Sequence, residues 1–262
     1  MKFNAQQAIS TSKLLLVPYS AHHVPTYHAW MQDPALQAAT ASEPLSLEEE
    51  YAMQRSWRGD RDKLTFIITS PLESPPNMGD ATHAGVADAP EKMIGDINLF
   101  LLPSESENDS PESSTGGSEG SQVIGEIEIM IARPDLRRQG FGRAALITFM
   151  GYLVFYWTSL YSEYNLGKPT QMWPHGKLAQ MPYELEYFRV KIHQSNTGSI
   201  RLFEGVGFQK TAEGVNYFGE VELRWKDDGG FLRTMRQEDF IKAKDGWMAM
   251  VLKYVDKEPE EQ

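Results

Sequence analysis

The chain has 262 residues, 41% of them hydrophobic and 23% charged, which is enough apolar mass for a buried core and too much for a disordered chain. It contains no cysteine, so disulfides, a thiolate nucleophile and cysteine-bound zinc are excluded. A net charge of -11 argues against nucleic acid or an anionic membrane as partner. With no signal-peptide pattern in the first twenty residues, a cytoplasmic location is expected.

In chain order, Lys13 to Tyr19 is short, apolar and closed by proline, and predicts a strand. Val24, Tyr27 and Trp30 fall at helical spacing, and Asp33-Pro34 is expected to end that helix. Ser46 followed by Glu49 is a capping-box pattern and predicts a helix of about three turns. Lys63 to Thr69, Lys92 to Leu102 and Ser121 to Ala132 are strands rich in β-branched and apolar residues. Ala144 to Trp157 is apolar throughout but shorter than the roughly 20 residues that span a bilayer, so a buried helix is expected. Tyr187 to Gln194 reads as a strand, Asn196 to Val206 as a helix stopped by Gly207, and Gly207 to Val215 with Tyr217 to Lys226 as two closing strands. The remaining segment leaves a further helix and strand open. This order predicts one mixed α/β domain over 1–262. Flexible insertions are expected at 71–91 and 103–122, an unassigned insertion at 158–186, and a C-terminal extension at 227–262.

The stretch that carries chemistry is "GEIEIMIARPDLRRQGFGRAAL", Gly125 to Leu146. Strand alternation puts Glu126, Glu128 and Met130 on one face and Ile127, Ile129 and Ile131 on the other. Then Arg137-Arg138-Gln139-Gly140-Phe141-Gly142 forms a glycine turn into a helix, whose unpaired N–H groups and dipole favour an anion. The spacing R-x-x-G-x-G fits neither the dinucleotide fingerprint nor the Walker pattern.

Arg137 to Gly142 resembles the acetyl-CoA pyrophosphate loop of the GNAT superfamily of N-acetyltransferases. "NTGSIRLFEGVGF" resembles the second motif of that superfamily, through Asn196, Ser199, Leu202, Phe203, Gly207 and Phe208. "TASEPLSLEEEYAMQRSW", "GDINLFL" and "GEIEIMIA" resemble the N-acetyltransferase 9-like branch, related to ribosomal-protein alanine acetyltransferases. The resemblance runs from about Lys13 to Trp225. It implies an acyl-CoA N-acyltransferase fold, with a mostly antiparallel twisted sheet flanked by helices. It also implies transfer of an acetyl group from acetyl-CoA to a protein or peptide amine by direct attack in a ternary complex.

The same resemblance implies roles for individual residues. Ile129, Met130 and Ile131 would meet the pantetheine arm. Arg137, Arg138, Gln139, Gly140, Phe141, Gly142 and Arg143 would hold the pyrophosphate. Asn196, Ser199 and Phe203 would line the cofactor. Glu128 is the first candidate for the general base and Glu126 the second, while Glu43 is a candidate for binding the substrate amine. Phe203 stands where many relatives place an acid tyrosine. That departure keeps open a noncatalytic scaffold, beside a small-molecule amine acetyltransferase. His193 is expected to be structural, and His22 and His23 lack the spaced companions of a metal site.

Overall fold

The computed structural model describes residues 1–40, 42–77, 79–104, 122–166, 185–226 and 249–256. Its strands are β1 (Gln7–Ser10), β2 (Leu15–Pro18), β3 (Lys63–Thr69), β4 (Ala81–His83), β5 (Met93–Pro103), β6 (Val123–Ile131), β7 (Leu185–His193), β8 (Gln209–Val215), β9 (Glu220–Trp225) and β10 (Met250–Val255). Its α-helices are α1 (Val24–Trp30), α2 (Pro34–Thr40), α3 (Leu47–Gly59), α4 (Phe141–Leu166) and α5 (Thr197–Glu204). All ten strands join one sheet in the order β4-β10-β1-β2-β3-β5-β6-β7-β9-β8. The sheet is antiparallel except at β10–β4 and β6–β7.

Period-two alternation along β5 and β6 divides the apolar mass into two cores. Ile97, Leu99, Leu101 and Ile127 face one way, into the cluster that holds α4 and the inner side of α5. Val17, Ile67 and Met130 face the other way, where they meet Val24 and Tyr27 of α1 and Leu36 of α2. Helix α3 starts as its sequence predicts: the Ser46 Oγ accepts from the Glu49 N–H, and the Glu49 carboxylate accepts from the Ser46 N–H.

Helix α4 is apolar over most of its surface because the sheet and the N-terminal residues bury most of it, although Phe155 stands exposed. By length and composition it could cross a membrane, but 67% of its most apolar stretch is buried within the fold. It also runs past Trp157 to Leu166, so the start of the unassigned insertion is helix. There Glu163 accepts hydrogen bonds from the Lys2 and Phe3 N–H groups, which ties the last turns to the chain start.

The structure adds two elements and corrects one expectation. Asp33-Pro34 ends α1 but also opens α2, because proline suits a first helical turn and the Asp33 carboxylate accepts from the Ala35 N–H. The segment 71–91 is not merely a flexible insertion: it supplies β4, parallel to β10, and buries Thr82, Ala84 and Asp88. The N-terminal residues add β1, which pairs with β10 across almost the whole sequence. Most of the insertions at 103–122 and 158–186, and of the C-terminal extension, lies outside the described residues.

Candidate active site

The site is built where two parallel strands part. Strand β6 pairs with β7 only over Val123–Glu126, against Leu185–Arg189. Beyond that, Ile127–Ile131 stays in register with β5, and Val190–His193 with β9, each on its outer side. Among the described residues, the facing inner edges therefore carry backbone N–H and C=O groups without a strand partner. Such an edge offers an extended amide chain the hydrogen bonds of a missing strand. The closed end is held by Gly125, where an added Cβ would lie 2.5 Å from the Phe188 ring. It is held also by the Arg189 Nε bond to the Glu126 Oε2 at 2.6 Å.

The open end leads to the N-terminus of α4. Gly140 has φ +86 and open space where a Cβ would stand, so conformation rather than crowding selects glycine there. Its C=O accepts the Ala144 N–H, which leaves the first N–H groups of α4 without a helical partner. An added Cβ at Gly142 would sit 3.3 Å from Leu202 and 3.8 Å from Ile131, so the end of β6, α4 and α5 converge on this turn. Arg137 does structural work: its Nε and Nη2 donate to the carbonyls of Ile131 and Ala132, at 2.9 and 3.1 Å. Gln139 likewise donates to the Asp135 carbonyl. Arg138, in the left-handed region at φ +60, and Arg143 point into solvent. Phe141 is buried under the Lys13 ammonium, 4.4 Å from its ring centroid. An unpaired strand edge, a glycine turn and a free helix N-terminus in line fit an acyl-CoA, with pantetheine amides on the edge and pyrophosphate at the helix.

Glu126, Glu128 and Met130 share one face of β6, as alternation requires, with Ile129 and Ile131 half-buried on the other. Met130 is a core residue of the α1 side, so any pantetheine contact it makes comes from its backbone. Glu126 is bound to Arg189 and lies 3.9 Å from Lys191, an engaged counter-charge rather than a free base. Among the described residues no cation pairs with Glu128. Solvent reaches it in the opening, yet protein closes around it enough that burial leads the causes raising its pKa to about 7. Glu126, Asp96 and Glu220 add like-charge repulsion. Asp96 on β5 escaped the sequence reading. It is 2% exposed and its pKa is raised to about 6 by burial, against hydrogen bonds from Asn98 and Tyr27. The polar interruption of the apolar run "GDINLFL" was the available signal.

The second motif divides. Asn196 caps α5 by accepting the Ser199 N–H at 3.2 Å, and Ser199 stands half-buried in that first turn. Phe203 is not in the opening: its ring is 1% exposed and packs edge-on against Phe208 at 5.0 Å. An apolar ring suits that core position, so the missing tyrosine hydroxyl is no loss to the opening. Glu43 stands exposed in the loop between α2 and α3. His193 ends β7 with its Nδ1 against the Ser195 hydroxyl at 2.7 Å.

His22 and His23 do have a companion, since folding brings Asp88 to them. The Asp88 Oδ2 meets both Nε2 atoms, at 3.1 and 3.0 Å, and accepts from the Tyr254 hydroxyl at 2.6 Å. Burial alone would raise Asp88, but these hydrogen bonds outweigh it and hold the carboxyl well below its usual range. The His23 Nδ1 accepts the Ser20 N–H, so its Nε2 carries the proton and donates, the opposite of what a metal ligand requires. The cluster is a hydrogen-bonded node that fastens β10.

A family model described as an acetyltransferase (GNAT) domain matches residues 13–209. An N-acetyltransferase 9-like protein of Schizosaccharomyces pombe is 37% identical, over 85% of this chain and 97% of its own length. The human alpha/beta-tubulin-N-acetyltransferase 9 is 36% identical, over 86% of this chain and 85% of its own length. Among solved structures, an uncharacterized protein from Bacillus halodurans shares the fold, with TM-score 0.51 at 11% identity over 87% of this chain and 89% of that one. With the parted strands and the glycine turn at a helix N-terminus, these likenesses identify the chain as a member of the GNAT family, an acetyl-CoA-dependent N-acetyltransferase.

Proposed function

We propose that this acetyltransferase modifies an amine of a cytosolic protein, with tubulin the first substrate to test, and that Glu128 is its general base. The observation that carries the proposal is the place of Glu128: on the face of β6 opposite α4, in the opening where β6 leaves β7, with no cation paired to it among the described residues. The names of the fly, mouse and human relatives, each an alpha/beta-tubulin-N-acetyltransferase 9, support the substrate class.

Bound acetyl-CoA supplies an acyl carbon activated as a thioester. The inner edge of β6 beyond Glu126 orients the extended arm, and the N-terminus of α4 offsets phosphate charge. Glu128 takes one proton from the incoming ammonium: the N–H bond breaks, a carboxyl O–H bond forms, and the freed lone pair faces the thioester. A carboxyl with a pKa of about 7 is matched to an α-amine of roughly 7.7–8.0 at neutral pH. As that lone pair forms the C–N bond the thioester C–S bond breaks, the attacking nitrogen gives its second proton to water, and the departing thiolate, with a pKa near roughly 8.5, takes one from water, so no acid tyrosine is needed. The test is incubation of purified tubulin with acetyl-CoA and enzyme, read by peptide mass spectrometry. Acetylated peptides that disappear with Glu128→Gln support both parts. Absence of transfer to tubulin overturns the substrate, and full transfer by Glu128→Gln overturns the base.

A further inference from the structure

We infer that Asn98 and Asp96 are positioning residues for Glu128, with the Asn98 carbonyl oxygen accepting a hydrogen bond from the Glu128 carboxyl once Glu128 has taken a proton from the substrate. The inference rests on the reading of Glu128 as general base. Asn98 is the residue directly across from Glu128 in the β5–β6 register, on the same face, and Asp96 lies one step further along that face. The Asn98 Nδ2 donates to the Asp96 Oδ2 at 2.7 Å, and the Tyr27 hydroxyl approaches the same oxygen at 3.5 Å. A carboxylate only accepts, so Asp96 fixes which end of the amide faces it and leaves the Asn98 Oδ1 turned away.

That Oδ1 belongs to a side chain 4% exposed and has no hydrogen-bond partner among the described residues. Leaving a buried acceptor unmatched is costly, and native folds rarely do so without a use. The β5–β6 register supplies a matching donor, the Glu128 carboxyl once it is protonated, while the Thr65 side chain lies across the β3–β5 ladder on the same face, with no hydrogen bond to Asn98 among the described residues. The amide thus lies idle before proton transfer and engages after it. No proton leaves Glu128 by this route; the hydrogen bond stabilises the form that the reaction creates.

The charged and titratable groups around the pair are compatible with this use. Tyr27 of α1 and Glu50 of α3 lie on the Asp96 side, with Tyr19 between them. Glu126 and Glu220 face Glu128 from β6 and β9. Arg189 and Lys191 on β7 are turned to Glu126, so among the described residues no cation pairs with the Glu128 carboxylate.

The experiment follows the Glu128 carboxyl by carbon-13 NMR titration and measures kcat and KM against pH, for wild type, Asn98→Ala, Glu128→Gln and the double variant. Removing the acceptor should lower the Glu128 proton affinity about tenfold and the high-pH kcat by a similar factor, with KM for acetyl-CoA unchanged. On the Glu128→Gln background, Asn98→Ala should change kcat less than about twofold. If Asn98→Ala does not fold, Asn98→Leu keeps the bulk without the acceptor, and the same shift is expected. An unmoved Glu128 titration, or an Asn98 effect that persists in full without Glu128, overturns the inference alone. A fully active Glu128→Gln instead overturns the base reading beneath it.

Discussion

The two ends of the β6–β7 interface are made from the same two strands and do opposite things. At the closed end, Val123–Glu126 is paired with β7, Gly125 lets the Phe188 ring press onto the backbone, and Glu126 is bound to Arg189. At the open end the pairing stops, and among the described residues the strands keep only their outer partners and the acid that remains, Glu128, has no counter-ion. A glutamate two residues away from another can thus be structural or chemical according to whether the neighbouring strand is still there. The closed end fixes the angle at which the strands part, and the open end uses the gap.

Perturbing each end should give different phenotypes. The largest effect is expected at the open end: Glu128→Gln should reduce kcat by about 100-fold or more, the lower range for losing a general base, with little change in melting temperature. At the closed end, Gly125→Ala places a Cβ 2.5 Å from the Phe188 ring and 3.0 Å from Leu99. It should destabilise the fold by about 1–3 kcal/mol, seen in chemical denaturation, and lower activity only through lost folded protein.

Two further predictions sharpen the comparison through pH and backbone. Asp96 has its folded pKa raised to about 6 from 3.8, so its contribution is fully present below the unfolded value and is lost as pH rises through 6. Asp96→Asn should therefore gain stability on wild type across that window, by up to about 3 kcal/mol, in urea titrations at pH 4.5 and 8. For the same reason kcat/KM should rise with pH through about 7 as Glu128 loses its proton, and that limb should vanish in Glu128→Gln. The smallest effect is Gly140→Ala: at φ +86 with free space it should cost about 1–2 kcal/mol of stability, through backbone strain alone.

Much of the fold was legible where one local rule dominated. The strand Lys63–Thr69 is read correctly from its apolar run, and the Ser46–Glu49 cap marks the start of α3. The alternation of Glu126, Glu128 and Met130 against three isoleucines is also as predicted. What was missed depends on partners far along the chain. β1 has four residues, of which two pair with β2 and all four with β10, some 240 residues away, and Asp88 reaches His22 and His23 only through the tertiary fold. In the candidate site, the glycine turn was legible because it is local. The roles of Arg137 as a backbone clamp, of Glu126 as a counter-charge and of Phe203 as core were not, since each is decided by what packs against it. Asp96 and Asn98 were passed over for the same reason: inside a strong strand pattern, two polar residues carry meaning only once Glu128 is known to lie across the ladder.

The central claim is that the parted end of β6 receives acetyl-CoA while the zipped end is already complete. Amide hydrogen exchange along β6, with and without acetyl-CoA, tests it directly. Protection should rise within Ile127–Ile131 and at the first turn of α4, with Val123–Glu126 unchanged. Protection gained equally at both ends, or gained nowhere in β6 by a protein that binds acetyl-CoA, would contradict it.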